Sequence, residues 1–311
     1  MNLPLVPFEG RMSYCLIKCI QMVLANKGQD YPLPWLECVS GEPFGFVYVR
    51  DGKSLFAITG YGYHLAGEHL LRTLNYDYTF TGAVDGTEAL AALDEALTEG
   101  PAIAGMLDMG YLTYMPNHQV LHGSDHAIVV LARTPDAVVV HDPDGYPATP
   151  LPLADFLEAW KRDIYTEKPY GLWRIGAQGT PPTTETIWEK TLARVRENLA
   201  LTEKSYPGGT TLLYGPNGMR ALATDLRAAP EQSLGSLPYF NWRVSGQRCL
   251  DGAVFLRELL PEAAAIRWEE CQLYGMLQQA SAAEDASEHA RLPELLERLA
   301  DLETRFIAAL V

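Results

Sequence analysis

One stretch near the N-terminus indicates both the fold and the chemistry, namely Ser13-Tyr14-Cys15-Leu16-Ile17-Lys18-Cys19-Ile20-Gln21-Met22-Val23-Leu24. Apolar residues recur in it every three or four positions, which predicts a helix with one buried stripe. Ser13 is the predicted N-cap, and Gly28 is the predicted end of the helix. Cys15 then lies in the first turn, where unpaired backbone N–H groups and the positive end of the helix dipole favour a thiolate. A catalytic nucleophile is therefore one interpretation of Cys15, and packing of a buried thiol is the other.

The remaining cysteines have weaker claims to reactivity. Cys19 follows one helical turn later and is predicted to lie on the buried stripe, where a thiol is inert. Cys38 has no helix start beside it. The chain has five cysteines and no CxxC pair. The first residues do not resemble a signal peptide, and no apolar run reaches the ~20 residues of a membrane span. A cytoplasmic protein with free thiols is the expectation.

A second stretch supplies the base that a cysteine nucleophile needs. His126 opens a β-branched run, a turn containing Thr134-Pro135-Asp136 follows, and Asp142 closes a second β-branched run before Pro143. This pattern predicts an antiparallel hairpin with His126 and Asp142 side by side at its open end. Asp142 could then accept a hydrogen bond from the imidazole and fix its tautomer. A surface histidine near a turn aspartate is the alternative interpretation.

The chain is predicted to form two domains joined by a linker. Residues 1–176 alternate between helix and strand patterns, which predicts an α+β domain with an antiparallel sheet. Residues 177–183, with two adjacent prolines and no periodicity, are the predicted linker. Residues 184–311 are predicted to be all-helical. The clearest evidence is an apolar strip at helical spacing, formed by Leu292, Leu295, Leu296, Leu299, Leu302, Phe306 and Leu310.

The charge balance excludes some partners and favours others. The formal net charge is −15. Residues 1–176 hold 11 Lys and Arg against 21 Asp and Glu, so −10 of it belongs to the predicted catalytic half. This argues against nucleic-acid and membrane partners, and it favours a cationic small-molecule partner.

The order of Cys15, His126 and Asp142 resembles the papain-like superfamily. Residues 14–24 are similar to the start of double-glycine peptidase domains, in which the first cysteine of such a pair is the nucleophile. The closer resemblance is to the N-terminal domain family of butirosin biosynthesis protein H. In that family a Gly- and aromatic-rich strand follows the cysteine helix, here residues 40–49, and a helical C-terminal domain follows, here including residues 240–260.

The resemblance implies a papain-like fold and a cysteine-dependent acyltransferase. Cys15 would be the nucleophile, His126 the base and Asp142 its orienting group. The implied partners are an acyl-thioester donor such as an acyl carrier protein and a cationic amine acceptor. Two alternatives stay open: a peptidase or amidase with the same triad, and a binding protein that retains the fold. No cofactor is implied.

The sequence departs from the papain-like pattern in one feature, and an acyl carrier protein as donor would require a second feature. Papain-like peptidases carry an oxyanion-holding Gln shortly before the nucleophile, and residues 3–12 contain no Gln or Asn. Ser13 and Tyr14 are the remaining candidates for an oxyanion donor besides the backbone of Cys15. An acidic carrier protein would also need a basic surface, for which Arg243 and Arg248 are the candidates.

A metal site is the less favoured interpretation of three histidines. His118, His122 and His126 are spaced at i, i+4 and i+8 and would line one face of a helix. Pro116, Gly123 and the β-branched run make such a helix unfavourable. No metal site is predicted.

Overall fold

A computed structural model describes residues 14–52, 55–60, 63–161, 168–206, 209–229 and 232–310. It divides the chain into two compact units. The first, called the six-stranded unit here, comprises the described residues within 14–36 and 63–183. The second, the four-stranded unit, comprises the described residues within 37–62 and 184–310. Helix α2 (Leu33–Ser40) contains one of the division points.

The six-stranded unit is built on an antiparallel sheet with the strand order β3-β8-β4-β5-β6-β7. Its core lies between this sheet and α4 and α5, and the large buried side chains there include Phe156 and Trp160. The strands are β3 (Tyr76–Thr81), β4 (Ala102–Asp108), β5 (Asp125–Arg133), β6 (Ala137–Asp142), β7 (Tyr146–Pro152) and β8 (Leu172–Gln178). The helices are α1 (Cys15–Asn26), α3 (Tyr63–Thr73), α4 (Gly86–Glu99) and α5 (Leu153–Trp160), with 3₁₀ turns at Met109–Tyr111 and His118–Leu121.

Helix α1 packs against β4, β5 and α3. Its apolar stripe is buried as the sequence predicts, with Ile20 and Leu24 fully covered. Helix α3 approaches it closely at Gly67, where a Cβ atom would lie 3.0 Å from Leu16 and 3.2 Å from Trp173. Because a larger residue at position 67 would push these side chains apart, the glycine lets α3 rest on the first turns of α1.

The four-stranded unit combines a second antiparallel sheet, in the order β2-β1-β10-β9, with a group of helices. The apolar strip predicted at the C-terminus is buried on α11, which packs against α7 and α9. The strands are β1 (Phe46–Arg50), β2 (Leu55–Thr59), β9 (Glu203–Ser205) and β10 (Thr211–Tyr214). The helices are α6 (Thr184–Leu199), α7 (Gly215–Ala228), α8 (Trp242–Leu256), α9 (Pro261–Ala282), α10 (Ala286–His289) and α11 (Leu292–Ala309), with a π-helical segment at Leu237–Asn241 before α8.

The structure corrects the prediction of an all-helical domain over residues 184–311. Strands β9 and β10 lie in this region, and β10 pairs with β1 along the register Val47↔Tyr214 to Arg50↔Thr211. A four-residue strand carries little local signal, and its hydrogen-bonding partner lies more than 160 residues earlier in the sequence. For the same reason residues 37–62 belong to the four-stranded unit rather than to a continuous domain over 1–176.

The mixture of helices and antiparallel sheets confirms the α+β class. The predicted linker also needs adjustment, since β8 extends through Gln178 and the six-stranded unit continues to residue 183. Helix α2 and strand β7 were not predicted. Among the described residues, no helix combines the length and the apolar character needed to cross a lipid bilayer.

Candidate active site

Cys15 is the first residue of α1. Tyr14 is the N-cap residue, with φ −99° and ψ 64° and no side-chain cap, and its carbonyl accepts the Lys18 N–H at 2.8 Å. The N–H groups of the first turn before Lys18 have no partner within the helix, so the partial positive charge of the helix end lies at the sulfur. Cys15 is also partly exposed. The predicted N-cap, Ser13, lies outside the described residues.

His126 and Asp142 lie together at one end of the sheet. His126 is the second residue of β5 and Asp142 is the last of β6, and the two strands pair in the register Val129↔His141 and Val130↔Val140. His126 Nε2 lies 2.8 Å from Asp142 Oδ1. Both residues are buried, at 6% and 4% exposure. A buried imidazole whose Nε2–H donates to a carboxylate presents its Nδ1 to a second partner.

Asp142 accepts two further hydrogen bonds. The backbone N–H of Asp144 donates to Oδ1 at 2.6 Å, and the Tyr114 hydroxyl donates to Oδ2 at 2.7 Å. Burial by itself raises the pKa of Asp142, but the hydrogen bond and charge of His126, with help from Asp144 and Tyr114, lower it below 3.8. Asp142 is therefore a carboxylate at neutral pH.

The second partner of the His126 ring is Cys15. Burial lowers the pKa of His126, but the hydrogen bonds and charges of Asp142 and Cys15 outweigh it and raise the pKa to about 10. The ring therefore favours the imidazolium form, between the Asp142 carboxylate and the Cys15 sulfur. The structure thus brings Cys15, His126 and Asp142 into one hydrogen-bonded group within the six-stranded unit, and their catalytic roles stay predictions.

Lys18 connects the cysteine helix to the turn that follows Asp142. Its Nζ donates to the carbonyl of Pro143 at 2.7 Å. Lys18 is one turn after Cys15, and Pro143 directly follows Asp142. This hydrogen bond therefore ties the element that carries the sulfur to the element that carries the carboxylate. Sequence reasoning missed the role of Lys18, although the residue lies inside the stretch that predicts α1.

The other cysteines are less suited to reaction. Cys19 and Cys38 are fully buried, and desolvation is the largest effect that raises the pKa of each thiol well above 9.0. Burial raises the pKa of Cys249 in the same way, and that of the partly buried Cys271 to about 11. Since the thiolate is the nucleophilic form, these four are expected to react slowly.

The three histidines considered for a metal site are on different elements. His118 begins a 3₁₀ turn and its Nδ1–H donates to the Gly110 carbonyl at 2.6 Å, whereas His126 is in β5. The His122 ring lies 3.6 Å from the buried carboxylate of Asp108. The described part of the chain contains no group of three or more His, Cys, Asp or Glu residues arranged to hold a metal ion.

The oxyanion candidates remain predictions. Tyr14 is buried at 1% exposure at the N-cap position, and the backbone N–H of Cys15 belongs to the free first turn of α1. Ser13 lies outside the described residues.

The structure corrects the prediction that Arg248 belongs to a docking surface for a carrier protein. Arg248 is 2% exposed in the four-stranded unit, where its guanidinium contacts Glu37 at 2.8 Å and Glu42 at 3.1 Å and donates to the Thr59 carbonyl. A side chain enclosed in this way cannot bind a carrier protein. Arg243, five residues earlier on α8, is exposed. The spacing of the two arginines could not reveal this difference, because it depends on which face of α8 meets β2 and residues 37–42.

The fold and site together define a mixed α+β protein with a cysteine, a histidine and an aspartate in one hydrogen-bonded group. Residues 15–143 match the family model described as butirosin biosynthesis protein H, N-terminal. This match supports the family predicted from the sequence, and the papain-like superfamily is consistent with it. The match to this family suggests a biosynthetic, enzyme-like role.

Two further similarities extend beyond this segment. Residues 209–311 match the family model of the YobF C-terminal domain. The chain is 25% identical over 307 residues to a Bacillus subtilis (strain 168) protein described as uncharacterized protein YobF, with 96% of each chain covered. The similarity to that protein therefore includes both units.

Proposed function

We propose that the protein is a cysteine-dependent acyltransferase that moves an acyl group from a thioester to an amine. The observation that carries this proposal is one hydrogen-bonded group, in which His126 contacts both Asp142 and Cys15. Cys15 is the first residue of α1. A partly exposed sulfur beside an imidazole with its pKa raised to about 10 is suited to a thiolate–imidazolium pair. The similarity of residues 15–143 to a biosynthetic family favours transfer over simple hydrolysis.

The reaction has two steps. In the first, the Cys15 thiolate attacks the thioester carbonyl carbon, a new S–C bond forms, and the donor thiol leaves with a proton from His126. In the second, the acceptor amine attacks the acyl-enzyme, His126 takes its proton, and the amide product releases the Cys15 thiolate. Asp142 keeps the imidazole oriented and stabilises its protonated form throughout.

The donor and acceptor are proposed from chemistry and charge. A thioester is already activated, so it tolerates an oxyanion hole without a side-chain amide, whose absence typically costs ~10²–10³ in rate. An acyl carrier protein is the proposed carrier of that thioester. The net charge of −10 on residues 1–176 favours a cationic amine as acceptor. Exposed Arg243 remains a proposed contact for an acidic carrier.

The decisive experiment mixes the protein with acyl thioesters, with and without primary amines. We expect a Cys15 acyl-enzyme by intact mass and amide formation when an amine is present. Cys15→Ala should abolish both, and Cys19→Ala and Cys38→Ala are the matched controls that should retain acylation. Hydrolysis without amide formation would instead support the peptidase or amidase alternative. Failure of Cys15 to acylate would support a binding protein that retains the fold.

A further inference from the structure

Tyr114 belongs to none of the sequence motifs, yet it contacts the triad carboxylate. Its hydroxyl donates to Asp142 Oδ2 at 2.7 Å, while Oδ1 accepts from His126 at 2.8 Å and from the Asp144 N–H at 2.6 Å. Donors therefore hold both oxygens, which fixes the rotation of the carboxyl group about its Cβ–Cγ bond. We propose that Tyr114 is a positioning residue that keeps Asp142 ionised and turned toward His126. This inference rests on the proposed function for the role of the triad.

The surroundings of Tyr114 suit this task. The Tyr114 ring packs against the core of the six-stranded unit, and its centroid lies 5.3 Å from that of the Tyr146 ring. Leu112 and Met115, which lie before and after Tyr114 in the sequence, are both buried. Burial, followed by the charge of Asp142, raises the pKa of the Tyr114 hydroxyl far above its ordinary value of 10.0. The group therefore stays protonated and remains a donor throughout the working pH range.

A purely structural role for Tyr114 is the competing explanation. In that case the ring would fill the core, and the hydrogen bond would only satisfy a buried hydroxyl. The two roles differ in their dependence on Asp142. A positioning role acts through the carboxylate charge and disappears when that charge is removed, whereas a structural role persists.

The test is the pH dependence of Cys15 alkylation by iodoacetamide, which requires the thiolate but no acyl transfer. Tyr114→Phe keeps the ring and removes one charge-assisted hydrogen bond from Asp142. We expect the acid limb of the alkylation profile to move up by as much as about one pH unit, because a carboxylate that has lost one donor is held less firmly toward His126 and supports its protonated ring less. Tyr146→Phe, a neighbouring ring in the same core, should leave the limb within about 0.2 unit of the wild type.

A double-mutant cycle completes the experiment. In an Asp142→Asn background, Tyr114→Phe should change the alkylation rate by less than about twofold. An unmoved acid limb, or an equal loss of rate in both backgrounds, would overturn the inference. If the limb moves as expected but no thioester is turned over, the positioning role stands and the proposed acyl transfer fails.

Discussion

The charge of Asp142 can be removed without disturbing its hydrogen bonds. One oxygen, Oδ1, accepts from both His126 and the Asp144 N–H. In Asp142→Asn, the amide oxygen can take over both of these bonds. The amide NH₂ then faces the Tyr114 hydroxyl, which can rotate to accept instead of donate. The substitution therefore isolates the electrostatic effect of the carboxylate on His126.

The expected magnitude follows from the His126 pKa of about 10 against its ordinary 6.5. This difference corresponds to a preference of about 5 kcal/mol for the protonated ring in the folded protein. A hydrogen bond to a charged group contributes about 1.5–3 kcal/mol, or about one to two pH units. We expect Asp142→Asn to lower the titration midpoint of His126 by this amount, and the hydrogen bond and charge of Cys15 to contribute to what remains.

The direction in which pH changes the stability follows from the same two pKa values of His126. Because the pKa of His126 is raised on folding, its contribution to stability is complete below pH 6.5 and disappears as the pH rises through about 10. Wild-type protein should therefore lose stability from this group in alkaline solution. Asp142→Asn should lower the pH at which this contribution of His126 to stability is lost.

The assay is an NMR titration of the histidine rings. The His126 signal is assigned by its loss in His126→Gln, and the other six histidines serve as internal controls. Cys15→Ser provides a second variant, in which the midpoint should also fall because the contribution of the Cys15 sulfur to the raised pKa of His126 is removed. A wild-type midpoint near 6.5, or a midpoint that Asp142→Asn leaves in place, would refute the ion-pair reasoning.

Two further predictions concern the four-stranded unit. Arg248→Met should lower the free energy of unfolding by about 3–5 kcal/mol, because it leaves the buried carboxyl groups of Glu37 and Glu42 without the guanidinium that contacts both. The exposed matched control Arg243→Met should change it by less than about 0.5 kcal/mol, and equal urea midpoints for the two variants would contradict the buried role. Burial is the main cause that raises the pKa of Glu37 from 4.5 to about 7, so its contribution to stability is complete below pH 4.5 and is lost as the pH rises through about 7. The difference in unfolding free energy between wild type and Glu37→Gln should therefore change by about 3 kcal/mol between pH 4.5 and pH 8, and a constant difference would argue against a protonated Glu37.

The sequence by itself determined the parts of the site that depend on local structure. Residues 15–26 carry a periodic apolar stripe, so the position of Cys15 in the first turn of α1 follows from its neighbours. His126 and Asp142 are joined by one short hairpin, and the hydrogen bonding of a hairpin fixes which residues share its open end. The patterns that predict a helix or a hairpin extend over only a few neighbouring residues, so they can be recognised in the sequence alone.

Only the tertiary structure decided features that depend on distant parts of the chain. Strand β10 exists as a strand because β1 supplies its hydrogen-bonding edge, and Arg248 is buried because Glu37 and Glu42 meet its face of α8. Tyr114 reaches Asp142 across 28 residues of sequence without a motif to mark it. In each case the partner is not a sequence neighbour, and contacts of this kind are set by the packing of whole elements rather than by local propensity.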